Sequence, residues 1–386
     1  MRMPFVFLAA SLLFAATARA EISLNTLLDP IRTKHALPSL AAAVVKDGKL
    51  VAVGAVGVRV AGTTIPVTVD DRYHLGSDTK AMTATLAAMM VEEGKLSWNS
   101  TIGEVLGSDL PNLRPKFAAI TLKELLSHTS GIPTDNEEIG KLYFSADAYE
   151  HTLKDWRLHM IEAWGSKHDP SFPASGKFQY SNLGYITAGA MIEKAADKPW
   201  ERLMYERIYE PLGLATAGLG AQATFGLYDA PVGHRIEADG KITPMAWGES
   251  ADLPASLGPA GLAHMSIKDF ATWAGWIAGG GKRGPALVTP ETLKILEAPA
   301  VSMEIKNPKP GTPKSGAYAL GWGLSKFNWT EKPILTHNGS NGLNFASIAV
   351  DPDHDLAIVV TSNIGGQKVD EVTLEVMKAL YEEFEK

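Results

Sequence analysis

Gly76-Ser77-Asp78-Thr79-Lys80 places a serine and a lysine three residues apart at the mouth of a predicted helix. The following run, Ala81 to Val91, carries Ala, Met, Leu and Thr and no Gly or Pro, which suits a buried helix. Residues three apart share one helical face, so Lys80 is expected beside Ser77. A serine hydroxyl is a weak nucleophile until a neighbouring base takes its proton. An amine in apolar surroundings gives up its charge more easily and can be that base. A helix start adds backbone N–H groups and a positive dipole end, both suited to a developing oxyanion. Taken alone, the same letters also describe a serine N-cap followed by a solvated lysine.

Outward from this helix, strands are predicted at both ends of the chain. Leu40–Lys46 and Leu50–Val60 read as strands joined by Asp47-Gly48, a hairpin turn pair. Ile22 to His35 repeats Ile22, Leu24, Leu27, Leu28 and Ile31 and reads as an amphipathic helix. Near the C-terminus, Tyr318–Leu324, Ile334–His337, Asn344–Val350 and Leu356–Ser362 read as short strands, and Lys368–Phe384 as a closing helix. Helical periodicity dominates between them, over Leu122–Ser127, Asp147–Ala163, Tyr185–Ala196, Trp200–Tyr209, Ile267–Ala278 and Pro290–Glu297. Lys306–Ser315, rich in Pro, Lys and Gly, reads as a surface loop.

The expected fold is α/β of the α+β type. An antiparallel sheet built from the N- and C-terminal strands is flanked by helices and carries a large, mostly helical insertion. One catalytic unit is expected over residues 21–386, with a sheet subdomain at 21–82 and 312–386 and a helical subdomain at 83–311. A cleft between sheet and helices is the expected pocket.

Composition narrows the class. A chain of 386 residues, 45% hydrophobic, can bury a large core. A net charge of −7 argues against nucleic acid as a partner. The absence of cysteine excludes disulfides, thiolate metal sites and a cysteine nucleophile, and is compatible with a bacterial periplasm. Arg2, the apolar run Phe5–Ala16 and Ala18-Arg19-Ala20 form a signal peptide pattern, with cleavage expected after Ala20. The run is short for a permanent anchor, so a periplasmic or secreted protein without a stable membrane anchor is expected.

Two further stretches carry chemistry. In Tyr180-Ser181-Asn182, a phenol whose pKa is lowered by the lysine could relay a proton, and the Asn182 amide could hold a substrate carbonyl or amide. A buried Tyr and an Asn helix cap explain the same residues. In His337-Asn338-Gly339-Ser340, Gly339 lets a substrate backbone approach closely, and the N–H groups of Ser340 and Ser77 could form an oxyanion hole. Asn338-Gly339 also reads as a hairpin turn.

Ser-x-x-Lys, Tyr-x-Asn and His-x-Gly in this order resemble the signature of the penicillin-recognising serine hydrolases. The chain resembles their class C β-lactamase-like branch, which includes class C β-lactamases, D-alanyl-D-alanine carboxypeptidases, D-aminopeptidases and family VIII esterases. Leu125-Leu126-Ser127-His128-Thr129-Ser130-Gly131, Glu210-Pro211-Leu212-Gly213-Leu214, Gly258-Pro259-Ala260-Gly261-Leu262 and Tyr318-Ala319-Leu320-Gly321-Trp322-Gly323 are similar to further landmarks of that branch. The resemblance spans about residues 25 to 380 and implies a β-lactamase/transpeptidase-like fold.

The resemblance implies that Ser77 is acylated, that Lys80 takes its proton, and that Tyr180 passes a proton to the leaving group. It implies that Asn182 holds the acyl side chain, that His337, Asn338 and Gly339 line the substrate site, and that the backbone N–H groups of Ser77 and Ser340 form the oxyanion hole. It implies no metal and no organic cofactor. Class C β-lactamases have Lys-Thr-Gly where this chain has His337-Asn338-Gly339. Histidine is mostly neutral above a pKa of about 6.5, and the threonine hydroxyl is gone. His128 is read as structural, and no Gly-x-Ser-x-Gly elbow or His-Glu-x-x-His pair is found. The expected function is an exported serine hydrolase forming an acyl-enzyme on small esters, amides or D-amino-acid peptides. The alternatives are a β-lactamase, or a non-catalytic binding protein of the penicillin-binding type. The small-molecule substrate and the oligomeric state stay open.

Overall fold

The computed structural model describes residues 21–172, 176–305, 308 and 312–386. The expected signal, residues 1–20, lies outside them, as does part of the loop expected at 306–315.

Among the described residues, nine strands form one sheet. They are β1 (Ile22–Ser23), β2 (Ser39–Lys46), β3 (Lys49–Gly57), β4 (Val301–Glu304), β5 (Ser315–Tyr318), β6 (Gly323–Ser325), β7 (Ile334–Ser340), β8 (Phe345–Asp351) and β9 (Leu356–Ser362). Their order is β1-β3-β2-β9-β8-β7-β6-β5-β4. All neighbours are antiparallel except β1 on β3. β2 joins the two ends of the chain, pairing with β3 on one side and β9 on the other. The hairpin between β2 and β3 turns at Asp47 and Gly48, both with positive φ (51° and 70°), as an Asp-Gly pair favours.

Side chains alternate across a strand, so β2 feeds two cores. Leu40, Ala42 and Val44 join α1 (Asn25–Lys34) and α5 (Gln367–Phe384) through Leu28, Val369, Val372, Val376 and Leu380. Ala41, Ala43 and Val45 join the other core, with α2 (Thr79–Glu92), α3 (Asn182–Ala196) and α4 (Ile267–Ala278). Both faces are covered, which is why β8 and β9 are buried along their whole length. α2 is buried from Thr79 to Met90, so it is a central rod with no wet face.

Several elements differ from expectation. Ile22 pairs with Ala52 as a strand, and the first helix begins only at Asn25; a ladder of backbone hydrogen bonds outweighs weak periodicity. The helix expected at 147–163 is cut by Thr152, whose side chain caps Leu153–Gly165 by accepting from Asp155 N. The strand expected over Tyr318–Leu324 is two strands, β5 and β6, paired with each other. Val301–Glu304 joins the sheet from within a stretch expected to be helical. Asn338 and Gly339 are not a turn; they lie inside β7, opposite Ser347 and Ala346.

Candidate active site

The turn Gly76–Asp78 leads directly into α2. Thr79 anchors it, its hydroxyl donating to Gly76 O at 2.7 Å and accepting from Ala263 N at 3.0 Å. Ser77 is half-buried, while Lys80 one turn on is fully buried. The solvated lysine of the bland reading is therefore ruled out.

Lys80 Nζ lies 3.0 Å from Ser77 Oγ, 2.8 Å from Asn182 Oδ1 and 2.6 Å from Ala260 O. An ammonium has three protons and meets three acceptors here. A neutral amine keeps two donors for the amide and the carbonyl, which accept only, and so aims its lone pair at the Ser77 hydroxyl. Burial pulls the Lys80 amine from 10.5 down to about 7, against the attraction of Asp135 and Asp78. Both forms are thus accessible near neutral pH.

Tyr180 stands on the other side of the serine, its OH 2.7 Å from Ser77 Oγ. Burial pushes the phenol up despite the hydrogen bond to Ser77. The expectation that the lysine lowers it is overturned, because removal from water outweighs every other influence on this ring. Tyr180 holds its proton and donates it. Its ring rests 4.3 Å from that of His128, which is fully buried and accepts from Ser181 N through Nδ1 at 3.1 Å. Burial pulls His128 well down, and Lys80 adds to this, so it is a neutral prop behind Tyr180.

Gly76 and Gly339 make the closest backbone approach at the site. A Cβ on Gly339 would stand 1.8 Å from Leu75 O and 2.7 Å from Ser77 N; one on Gly76 would stand 2.2 Å from Ser340 N. Only two glycines let β7 run this close to the serine turn, and they bring the Ser77 and Ser340 N–H groups together.

His337 is buried, with Nε2 3.0 Å from Tyr318 OH and Nδ1 3.0 Å from Asn338 O. Burial and then Lys80 pull its imidazole down to about 3, so it is neutral. Asp78 approaches its Nδ1 at 3.3 Å, and burial raises that carboxyl well above the usual range. Asn338 is exposed and gives its amide Nδ2 to Asp370 Oδ1 at 2.9 Å.

Ser77, Lys80, Tyr180, Asn182, Gly339 and Ser340 thus converge, with His337 beside them and the Asn338 side chain turned to Asp370. Sequence reasoning missed Ala260, whose contribution is a backbone carbonyl, and Asp135, which takes Asn182 Nδ2 at 2.6 Å. It also gave no role to Tyr318. The His337–Tyr318 contact follows from neighbouring strands, but no local pattern announces it. A cavity of about 440 Å³, lined by Phe178, Tyr318, Phe327, His337 and Asn338, reaches this site. A second, of about 660 Å³, is lined by Tyr143, Tyr149, Trp156 and Leu253 and by none of the residues named above.

The Beta-lactamase family model matches residues 24–381. The chain is 27% identical over 342 residues to penicillin-binding protein 4 of Amycolatopsis lactamdurans, covering 87% of this chain and 84% of that protein. It spans only 53% and 65% of the next two curated relatives. The structure of the octameric penicillin-binding protein homologue from Pyrococcus abyssi superposes with a TM-score of 0.73 at 21% identity, over 92% of this chain and 76% of that one. A D-amino acid amidase from Ochrobactrum anthropi SV3 superposes with a TM-score of 0.71 at 20% identity, over 93% and 99%. These structural likenesses carry the fold.

Proposed function

The chain belongs to the Beta-lactamase family of serine hydrolases, and from that premise we propose that it hydrolyses small esters, amides or D-amino-acid peptides through an acyl-enzyme on Ser77. The observation that carries this reading is one serine oxygen held between Lys80 Nζ at 3.0 Å and Tyr180 OH at 2.7 Å.

In the proposed cycle, Ser77 Oγ attacks the substrate carbonyl carbon and its proton passes to neutral Lys80. The carbonyl oxygen, now negative, takes hydrogen bonds from the N–H groups of Ser77 and Ser340, each donor being worth about 3 kcal/mol in the transition state. The bond to the leaving group breaks as Tyr180 protonates that group. The Lys80 ammonium, 4.7 Å from the Tyr180 ring, restores the phenol proton. Water then attacks the ester on Ser77 with the same groups reversing their roles, and the acid is released. Asn182 holds Lys80 and the substrate amide in register.

Replacing Ser77 by Ala tests the reading. Turnover of p-nitrophenyl acetate and labelling by a fluorophosphonate should both vanish; a variant that still turns over the ester ends the proposal. A neutral His337 offers no fixed cation to a β-lactam carboxylate. Nitrocefin hydrolysis is therefore expected near the uncatalysed rate. Export is part of the proposal, supported by the pattern of residues 1–20, and the mass of a mature chain beginning at Glu21 tests it.

A further inference from the structure

The two backbone N–H groups assigned to the oxyanion come from distant parts of the chain, Ser77 from the turn before α2 and Ser340 from the end of β7. Their separation decides whether both reach one oxygen, since each donor must lie about 2.7–3.1 Å from where the negative charge forms. Gly76 and Gly339 permit the close approach, but a permissive backbone does not hold a distance. A carboxylate that the hydrolytic cycle does not use, Asp252, is tied to both sides.

The first arm runs through His74, which is fully buried and accepts from Gly76 N through Nδ1 at 3.0 Å. A backbone N–H can only donate, so Nδ1 is the bare nitrogen and the ring carries its proton on Nε2. That N–H faces both oxygens of Asp252, each 3.1 Å away. The second arm runs through Asn341, whose Nδ2 donates to Asp252 Oδ1 at 2.9 Å. The Asn341 amide cannot turn round, because its Oδ1 accepts from Leu343 N at 3.1 Å and from Asn344 N at 2.9 Å. Leu253 N, at 2.7 Å, fixes the carboxylate itself. Burial pushes this carboxyl up, but His74, Asn341 and Leu253 outweigh it and hold it below the usual range, so it accepts on both arms. Gly76 immediately precedes Ser77, and Asn341 immediately follows Ser340. Each arm therefore ends one residue from one of the two donors.

We propose that Asp252 is a positioning residue that, by gripping His74 and Asn341 at once, sets the separation of the Ser77 and Ser340 N–H groups. It acts through these two neighbours and not by contact with the reacting atoms. This rests on the hydrolase reading above and deepens it. A carboxylate that only braced the fold would change how much of the protein is folded, and would leave the folded enzyme's grip on a tetrahedral centre as it was.

Asp252→Asn keeps the size of the side chain and one acceptor oxygen, but it sets an NH2 against a donor on one arm, so the tie parts there. Hydrolysis of p-nitrophenyl acetate is measured per active site, counted by titration with a fluorophosphonate. kcat/KM should fall about tenfold, less than the loss on deleting a donor, because the donor is displaced and not removed. Phenylboronic acid is the second probe. Its boron bonds Ser77 Oγ, the serine proton passes to Lys80, and the negative tetrahedral adduct places an oxygen between the two N–H groups. Its Ki should rise by the same factor, about tenfold. His74→Asn keeps an acceptor for Gly76 N but no longer reaches Asp252. It should match Asp252→Asn in both readouts, and the double variant should lose little more than either alone, since a tie cut once is already cut. Per-site kcat/KM and Ki that Asp252→Asn leaves unchanged overturn the assignment, whatever the melting temperature does, and so do losses that multiply in the double variant. If Asp252→Asn does not fold, His74→Asn decides by the same two readouts. Failure of the hydrolase reading itself shows differently, as ester turnover that survives Ser77→Ala.

Discussion

Lys80 and Arg157 are both cations with no exposed surface, yet their surroundings differ completely. Arg157 meets two carboxylates, with NH1 2.8 Å from Glu193 Oε1 and NH2 bonded to Glu201, while Nε donates to Ser256 O at 3.1 Å. Lys80 meets a hydroxyl, an amide oxygen and a carbonyl, none of them charged. A buried cation with an anion in contact stays charged and ties elements together; here helices Leu153–Gly165, α3 and Trp200–Met204. A buried cation without one is pushed to shed its proton, and burial accordingly pulls Lys80 to about 7. The same fold thus holds one cation for architecture and one for chemistry, and the choice lies in the charge of the groups that touch it.

The strongest way to break this comparison is Lys80→Met, expected to lower kcat/KM about 10³-fold with little loss of fold, measured on an activated ester beside a thermal melt. Next is Arg157→Met, which strands Glu193 in the interior and should cost about 3–5 kcal/mol in urea unfolding. Burial already pushes the Glu193 carboxyl up, so adding Glu193→Gln should recover part of that loss. If both cations prove equally structural, Lys80→Met will unfold the protein as readily as Arg157→Met.

The pH profile sharpens the contrast. Neutral Lys80 is the base in the proposed cycle, so kcat/KM should rise about tenfold per unit below pH 7 and level off above it. Because the Tyr180 phenol is pushed up, no decline from its ionisation is expected by pH 9. A bell with its alkaline limb near 8 would contradict the phenol's role as a proton donor.

The same depressed amine also couples stability to pH. Lys80 binds a proton in the unfolded chain up to about 10.5 but in the fold only up to about 7. Between these values the unfolded state holds more protons, so stability should rise with pH across that window; below 7 both states are protonated and the slope vanishes. The gap in urea stability between wild type and Lys80→Met should therefore change between pH 7 and 10, and a gap that stays constant would show that Lys80 is not depressed.

The nucleophile turn, its lysine and the hairpin at Asp47-Gly48 were readable because each depends on local spacing or turn chemistry. The helices 267–278 and 290–297 were readable to the residue, being strongly amphipathic and marked at their starts by Ser266 and Thr289, the capping residues. Only the alternative turn reading of Asn338-Gly339 fails, because a turn pair placed in a central strand is held extended by Ser347 and Ala346 across the ladder. The Tyr180 phenol misled for a related reason: the lysine's proximity could be inferred from motif order, but the depth of burial that outweighs it could not. Asp135 left no local signal, because its meaning arises only when a loop residue folds back on Asn182.

The contact between Gly76 and Gly339 has a consequence for biosynthesis. The serine and lysine emerge early from the ribosome, whereas β7, which carries the second N–H proposed for the oxyanion, emerges near the end. A chain that stops short of β7 lacks one of the two backbone N–H groups assigned to the anion. In the proposed cycle, acylation therefore needs the late strand as well as the early helix.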